Sequence, residues 1–223
     1  MKIVEKIWGN EEWIVNNGLY CGKRMTLRKG AFCSLHMHPK KHETFYVEKG
    51  KIRIEHHASP IVNLVAKAGS CIEIPPGTFH RFAGYVDSVF FEFSTQHDDN
   101  DVVRKEKSFL SPILYVFDVD GTLINSGGIV DSQHIRKSGK FGVLSSRSRD
   151  RSLSACNELG VAPDFIMTCR IMQRAEELQA IDRMFPLRRT VYVADQSSDR
   201  EESHRAGWQH MYPTEFANLM MEE

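Results

Sequence analysis

Several features are scarce or absent in this sequence, and each absence argues against a class of protein. The five cysteines are odd in number and lack CxxC spacing, which argues against a disulfide framework or a zinc cluster. The formal net charge is zero, which argues against a nucleic-acid-binding surface. No apolar run approaches the roughly 20 residues needed to span a bilayer, and the first residues do not resemble a signal peptide. We therefore predict a cytoplasmic protein with reduced thiols and with no nucleic-acid or membrane partner.

The composition provides enough apolar material for ordinary folded cores, since 41% of the 223 residues are hydrophobic and 26% are charged. This length exceeds that of a common single domain and favours two domains of about 100 to 120 residues each. A charged stretch over 98–111 ends at Pro112, and the pattern of predicted elements changes there. We predict a first domain over 1–107, a linker over 108–112 and a second domain over 113–223.

The first half consists of short runs of β-favouring residues broken by glycine, proline and asparagine, with no sustained helical period. Such a series predicts an all-β sandwich or barrel. The clearest predicted strands cover 23–27, 43–47, 51–55, 70–74 and 88–93.

A histidine cluster lies within these strands. His36 and His38 are two residues apart, so on a strand both imidazoles face the same side and can reach one ion. Glu43 follows on the next strand and can add a carboxylate oxygen, while His80 comes just after a Pro-Gly turn. Three histidines and one carboxylate suit a divalent transition metal, such as zinc, manganese, iron or nickel, with open positions for a substrate.

The spacing around these four residues resembles that of the cupin family. The first motif begins at Gly30, and five residues separate it from the HxH pair; Glu43 follows after four residues and Gly50 after six more. The second motif begins at Gly69, and five residues separate it from Pro75. Gly77 follows after one residue and His80 after two more. The resemblance implies a double-stranded β-helix, or jelly-roll barrel, that binds a metal. The alternative is a cupin barrel that has lost its metal.

Further segments narrow the resemblance within the first half. Residues 6–9, 23–27, 34–38, 75–81, 91–95 and 98–104 look like the cupin-type mannose-6-phosphate isomerase domain. This implies a phosphorylated sugar or nucleotide sugar as ligand and isomerisation or epimerisation, in which a metal polarises the substrate and a base moves a proton. Lys41, Glu92 and Arg104 are candidates for the base and for phosphate contacts, or are rim charges without a role. Since cupins commonly pair through strand edges, we expect a homodimer.

In the second half, strands alternate with helices, which predicts an α/β domain with a parallel sheet. An apolar strand ends at Asp118, and two further strands end at Ser145 and Asp195, so all three side chains are expected at one edge of the sheet. Asp120 would point to the opposite face from Asp118 on a regular strand, but Gly121 permits the backbone to turn. The other predicted elements are a strand over 164–169 and helices over 149–159, 171–185 and 200–206.

These residues resemble the motifs of the haloacid dehalogenase-like (HAD) phosphatases. Asp118-Val-Asp120-Gly-Thr122 matches the first motif, Leu144-Ser145 the second, and the segment from Ala194 to Asp199 the fourth. The resemblance implies a Rossmann-like domain in which Asp118 is the nucleophile that forms an aspartyl-phosphate and Asp120 is the general acid.

The same resemblance implies the other roles in that site. Ser145 and Thr122 would contact the transferring phosphoryl group. Magnesium would be held by Asp118, the main-chain carbonyl of Asp120 and Asp195, with Asp199 in support.

The second half also departs from the HAD pattern. The third motif of the family is a lysine, and this sequence has no lysine after Lys140. The available cation is therefore Arg174 or, less favourably, Arg170. In addition, Ala194 stands where glycine is usual. Too few residues separate Gly121, Ser145 and Asp195 to form a cap domain, so a capless domain is expected. The alternative is a degenerate domain kept for scaffolding.

Together the two halves predict a bifunctional protein of sugar-phosphate metabolism, with a cupin isomerase, epimerase or binding domain fused to a magnesium-dependent phosphatase. One alternative is a sugar-binding cupin with a silent HAD domain that acts in regulation or as a scaffold. A third possibility is oxygen-dependent chemistry at an iron-containing cupin.

Overall fold

A computed structural model describes residues 2–57, 61–170 and 173–222. The chain divides into two compact units. The first comprises residues up to Ser111 together with Leu187–Arg189, and the second comprises Pro112–Pro186 and the residues from Thr190 onwards.

The first unit is all β and its paired strands are antiparallel, as the short β-favouring runs predict. Six strands form one sheet in the order β1-β2-β3-β11-β6-β9, and the second sheet has the order β12-β5-β10-β4-β13, with β7 paired to β10 and β8 paired to β7. The strands are β1 Lys2–Lys6, β2 Gly9–Asn16, β3 Cys21–Leu27, β4 Ala31–Phe32, β5 Leu35–Met37, β6 Glu43–Lys49, β7 Lys51–His57, β8 Val62–Lys67, β9 Cys71–Ile74, β10 Phe79–Gly84, β11 Ser88–Ser94, β12 Val103–Glu106 and β13 Phe109–Leu110.

One apolar core holds the two sheets together. Along β3 and β6 alternate side chains are buried, which is the period of a strand with one covered face. Phe45, Phe82 and Phe90 are almost fully buried, and their rings pack edge to face with centroids 5.0–6.1 Å apart. The two inner faces therefore pack as in a β-sandwich or barrel.

The predicted linker over 108–112 contains a two-residue strand. Phe109–Leu110 pairs with Ala31–Phe32 as strand β13. The preceding charged segment is also structured, because Val103–Glu106 pairs with Leu35–Met37. All four residues of β12 are exposed, so this strand lacks the apolar alternation by which strands are recognised in a sequence.

The second unit is an α/β layer structure. Its sheet has the order β16-β15-β14-β17-β18, and the β14–β15, β15–β16 and β17–β18 pairs are parallel. The elements are β14 Ile113–Phe117, α1 Ser132–Lys137, β15 Phe141–Ser145, α2 Arg149–Glu158, β16 Phe165–Thr168, α3 Arg174–Met184, β17 Arg189–Val193, α4 Ser197–Arg205, β18 Gln209–Met211 and α5 Pro213–Glu222.

Both faces of this sheet are covered, which explains its continuous apolar strands. Tyr115 and Phe117 on β14 pack in one core with residues of α1, α2 and α5. Leu114 and Val116 pack in a second core with Leu178 of α3 and other residues. The sheet therefore holds the ends of its strands rigidly.

The predicted elements of the second half occur with small shifts in their ends. The helix predicted over 171–185 is α3, which begins at Arg174; Ile171 and Met172 lie outside the described residues. The sequence did not predict α1, β18 and α5, which are short or at the end of the chain. None of the helices in the described part of the chain has the length and apolarity needed to cross a bilayer.

Candidate functional site

In the first unit, strands of both sheets bring the predicted metal ligands together. His36 on β5 is the cross-strand partner of His80 on β10, and their ring centroids lie 4.6 Å apart. His38 follows β5 directly, and Glu43 is the first residue of β6. His38, His80 and Glu43 are all buried.

Each of the three imidazoles has its Nδ1 atom against a main-chain carbonyl oxygen. His36 Nδ1 lies 2.8 Å from the Ser34 oxygen, His80 Nδ1 lies 3.0 Å from the Thr78 oxygen, and His38 Nδ1 contacts the oxygen of Asp101. Because a carbonyl oxygen only accepts hydrogen bonds, each Nδ1 carries the proton and each Nε2 presents its lone pair. This is the tautomer in which histidines bind metals through Nε2.

Glu43 lies among these nitrogens. Its Oε2 atom is 3.2 Å from His80 Nε2, and its Oε1 atom is 3.7 Å from His38 Nε2. His80 Nε2 and Glu43 Oε2 are buried and neither makes a hydrogen bond of good geometry with a described residue. Burial and, to a smaller extent, the nearby His80 lower the pKa of His36 to about 3, so its Nε2 lone pair stays available near neutral pH. These four side chains fit a divalent transition metal.

Lys41 and Glu92 form a buried ion pair beside this group. The Lys41 ammonium is 2.8 Å from Glu43 Oε1 and also donates to Glu92 Oε1. Burial opposes the charge of Lys41, but Glu92 and Glu43 outweigh that effect and raise its pKa. Lys41 therefore remains protonated, and a role as the base is not favoured; it suits an electrostatic role instead.

A cavity of about 520 Å³ opens above the histidines. Arg104 on β12 lines it and is exposed, so it is available to a ligand. Ten charged side chains line the cavity, six of them cationic and four carboxylate. They are Lys2, Lys6, Lys23, Lys41, Arg104, Lys107, Glu11, Glu43, Glu92 and Asp99.

A group of four contacting residues that line the cavity was not identified from the sequence: Glu11, Trp13, Lys23 and His97. Lys23 is buried, and its Nζ atom lies 3.2 Å from His97 Nδ1 and 3.4 Å from Glu11 Oε2. The same nitrogen lies 4.6 Å from the centre of the Trp13 ring. These residues come from separate strands and a loop, so no local spacing marks them. A lysine in the alternating pattern of β3 is the available signal, since Lys23 lies on the buried side of the strand.

In the second unit, a carboxylate cluster lies at one edge of the sheet. Asp118 follows β14, Asp195 follows β17, and Asp199 lies in the first turn of α4. Oxygen atoms of these three residues lie within 4.8 Å of one another. The next strand in the chain after β14 is β15, which lies on one side of β14, whereas β17 lies on the other side of β14. The strand order therefore changes direction next to β14, and the cluster lies at this topological switch point.

Gly121 allows this close approach. Its φ angle is +69°, and a Cβ atom at this position would collide with the Asp195 carboxylate. Burial raises the pKa of Asp118 to about 6, although Arg174 opposes the rise. Asp199 Oδ2 is buried without a hydrogen-bond partner among the described residues. Three oxygen donors of this kind fit Mg²⁺, which binds one or two carboxylates and completes its shell with water or phosphate.

Arg174 lies within the carboxylate cluster, where the missing lysine was expected. Its guanidinium donates hydrogen bonds to Asp199 Oδ1 and to the hydroxyl of Tyr192, the latter over 2.8 Å. The guanidinium also lies 3.8 Å from the carboxylate of Asp118. The Tyr192 hydroxyl in turn donates to the carbonyl oxygen of Leu144 over 3.2 Å. Tyr192, which sequence reasoning missed, therefore fixes the orientation of Arg174.

Asp120 does not join the cluster of Asp118, Asp195 and Asp199 through its side chain. Arg147 holds both of its oxygen atoms, over 2.7 and 2.6 Å. The hydrogen bond from Arg147 lowers the pKa of Asp120, which opposes the protonated form that a general acid requires. Sequence reasoning also missed Arg147, although it lies two residues after Ser145.

Ser145 and Thr122 are both completely buried near this edge. Ser145 Oγ accepts a hydrogen bond from the main-chain nitrogen of Arg147 over 3.2 Å. Thr122 Oγ1 has no hydrogen-bond partner among the described residues. Both hydroxyls would need a local change to reach a bound phosphoryl group.

Comparison with known proteins agrees with the fold of the first unit. The family model described as "Cupin domain" matches residues 23–91. Residues 23–91 form a cupin domain. This range contains the histidines and Glu43, but it covers less than half of the chain.

Solved structures resemble the cupin domain at low identity. CapF bound to the inhibitor 3-isopropenyl-tropolone is 19% identical over 47% of this chain, with a TM-score of 0.43, and KdgF from Halomonas sp. is 15% identical over 45%, with a TM-score of 0.41. Oxalate decarboxylase of Bacillus subtilis, whose Mn(II) centres have been studied, is 23% identical over 47%, with a TM-score of 0.41. At these values the likeness carries no information on substrate or reaction.

The matched part spans 34% of the CapF chain and 30% of the oxalate decarboxylase chain, but 90% of KdgF. No curated protein matches the sequence.

Proposed function

We propose that the cupin domain is a metal-dependent isomerase, epimerase or binding domain for a phosphorylated sugar or nucleotide sugar, and that the second unit is a magnesium-dependent phosphatase of the HAD type. The observation that carries the proposal is the common tautomer of His36, His38 and His80, which leaves three Nε2 atoms free around Glu43. A divalent transition metal bound by these four residues would polarise a substrate carbonyl or hydroxyl group.

The charge of the cavity supports an anionic ligand. Its ten charged side chains have a cationic excess of two before any metal is added. Lys41 is neutralised by Glu43 and Glu92, whereas the nearest carboxylate of Lys23 is 3.4 Å away. Lys23 and the exposed Arg104 are therefore better placed than Lys41 to contact a phosphate.

Glu92 is the residue that we assign to proton transfer. Its Oε1 atom already accepts from Lys41 and, over 3.1 Å, from Ser94 Oγ. Its Oε2 atom has Lys23 as an ion-pair partner only at 3.9 Å. Glu92 Oε2 is therefore the atom that would accept a proton from the substrate, and Lys41 would hold the carboxylate in place.

In the second unit, Asp118 would attack the phosphorus atom, and the phosphoryl group would pass from the substrate to its carboxylate. Asp118, Asp195 and Asp199 would hold Mg²⁺, which neutralises charge on the transferring group. Arg174, at 3.8 Å from Asp118, supplies the fixed positive charge that lysine supplies in the family. Asp120 could donate a proton to the leaving group only after release from Arg147.

A silent second unit is the competing function, and one observation favours it. Both oxygen atoms of Asp120 are occupied by Arg147, and Asp199 is paired with Arg174. A domain that only binds phosphate or supports the cupin domain could keep these ion pairs permanently.

Phosphate release decides between the two functions of the second unit. The full chain would be offered a panel of hexose phosphates and nucleotide sugars with Mg²⁺, together with Asp118→Asn and the matched surface variant Asp150→Asn. We expect release by the wild type and by Asp150→Asn, and a loss of at least about 1,000-fold in Asp118→Asn because the nucleophile is removed. No release from any compound, or equal release by all three proteins, would contradict the phosphatase.

A further inference from the structure

The charged segment from Asp98 to Glu106, at the end of the predicted first domain, packs against the proposed metal ligands. Its strand β12 pairs with β5, with Arg104 opposite His36 and Val103 opposite Met37. Asp101 lies just before this strand, where the chain turns through a hydrogen bond from its nitrogen to the Asp98 oxygen, over 3.0 Å.

Asp101 contacts the metal-ligand segment through both its side chain and its main chain. Its Oδ2 atom accepts from the main-chain nitrogen of Lys41 over 2.9 Å, and its Oδ1 atom accepts from that of Lys40 over 3.1 Å. Its main-chain oxygen is the partner of His38 Nδ1. One residue therefore fixes both the imidazole of His38 and the turn that leads from His38 to Glu43.

A second contact fixes the other side of His38. Its carbonyl oxygen accepts from the main-chain nitrogen of Gly77 over 2.8 Å, in the turn that precedes His80. The later part of the 38–43 turn is held at His42, whose nitrogen donates to Thr95 Oγ1 over 3.1 Å and whose oxygen accepts from the Thr95 nitrogen over 3.1 Å. The Asp101 contacts hold the part of the turn next to His38, at Lys40 and Lys41. Loss of the carboxylate would leave two main-chain N–H groups without their acceptors and would release the main-chain oxygen that orients His38.

We propose that Asp101 is a positioning residue for the metal centre of the cupin domain, acting through the orientation of His38 and the 38–43 turn. The proposal rests on the proposed metal site, since Asp101 does not itself ligate the metal. Residues that orient metal ligands in this way affect metal affinity by about 10- to 100-fold.

Asp98 provides a matched control in the same loop. Its carboxylate is exposed and, among the described residues, accepts hydrogen bonds only from Asn100, over 2.9 Å from the main-chain nitrogen and 3.1 Å from the side-chain nitrogen. A substitution there removes one aspartate charge, as at Asp101, but leaves the 38–43 turn in place.

The test is a titration of the full chain with Co²⁺ in excess Mg²⁺, which fills the carboxylate cluster of the second unit. The visible d–d bands of the bound cobalt report its coordination, and the apo proteins are compared by thermal unfolding. We expect Asp101→Ala to bind Co²⁺ about 10- to 100-fold more weakly and with altered bands. Asp101→Asn, which keeps an acceptor oxygen, should recover most of the affinity, and Asp98→Ala should match the wild type.

The outcomes separate this inference from the proposed function. If the wild type binds Co²⁺ without bands typical of histidine ligation, the metal site itself is refuted. If the wild type binds and Asp101→Ala binds equally well, the positioning role is refuted. The role is also refuted if both Asp101 variants lose stability as apo proteins and neither shows altered bands, since a purely structural residue gives that result.

Discussion

The two candidate sites are built from different partners. In the cupin domain, main-chain carbonyl oxygens hold the Nδ1 side of His36, His38 and His80, and the opposite nitrogens remain free. In the second unit, arginine side chains hold carboxylate oxygens of the candidate site: Arg174 donates to Asp199, and Arg147 donates to Asp120.

This difference separates imidazoles that the main chain orients from carboxylates that arginine side chains hold. Main-chain contacts are fixed by the fold, so the histidines keep their orientation whether or not a metal is bound. In a guanidinium–carboxylate pair either partner can be replaced by another ion of the same charge. Mg²⁺ would therefore compete with the arginines for the carboxylates, and phosphate would compete with the carboxylates for the arginines. The predictions below test this contrast from the largest expected effect to the smallest.

Removal of Arg174 should have the largest effect on stability. In Arg174→Met, Asp118 and Asp199 lose their buried cation and Tyr192 loses its donor. We expect the free energy of unfolding of the second unit to fall by about 3–5 kcal/mol, as for other broken buried ion pairs. The measurement is urea unfolding followed by far-ultraviolet circular dichroism, to which the helices contribute most.

Arg205→Met is the control for that experiment, because Arg205 pairs with Glu202 and Glu176 on the surface. It should cost less than about 1 kcal/mol. A similar small cost in Arg174→Met would show that the carboxylates do not depend on this arginine, and the contrast between the two sites would fail.

Two glycines test how closely the carboxylate cluster is packed. Gly121 and Gly127 have nearly the same φ angles, +69° and +70°, but only Gly121 lies against another group, the carboxylate of Asp195. Gly127→Ala should cost about 1–2 kcal/mol from backbone strain alone. Gly121→Ala should cost more and should also weaken Mg²⁺ binding, measured by calorimetry; equal effects of the two changes would argue against the packed cluster.

Thiol reactivity provides the smallest expected difference. Burial raises the pKa of Cys33, beside the histidine cavity, to about 12, so its thiol stays protonated and unreactive up to strongly alkaline pH. Burial also raises the pKa of Cys169, near Arg174, but this residue is only half-buried. At pH 8 we expect iodoacetamide to modify exposed Cys71 first, Cys169 next and Cys33 last, as followed by peptide mass spectrometry. Rapid modification of Cys33 would contradict its burial.

Local sequence patterns predicted much of the fold because their periods match the structure. The HxH spacing places His36 and His38 beside one strand, and the apolar runs that end in Asp118 and Asp195 are the buried strands β14 and β17. The four exposed residues of β12 have no such period, so this strand was missed. Pairing with β5, rather than local preference, makes them a strand.

The contacts within the sites could not be predicted in the same way. Lys23 and His97, or Arg174 and Tyr192, are distant in sequence and meet only in the folded chain. Several charged side chains meet at this edge of the sheet, and the spacing of the motifs does not determine that Asp120 pairs with Arg147.

Metal content tests the central claim most directly. The full chain, produced with Mn²⁺ and Zn²⁺ supplied, would be analysed by elemental mass spectrometry beside His80→Ala and Asp195→Asn. We predict about one transition-metal ion per chain in the wild type and in Asp195→Asn, and almost none in His80→Ala, because His80 supplies one of four ligands. A wild-type protein without transition metal, or a His80→Ala variant that retains it fully, would contradict the proposed metal centre.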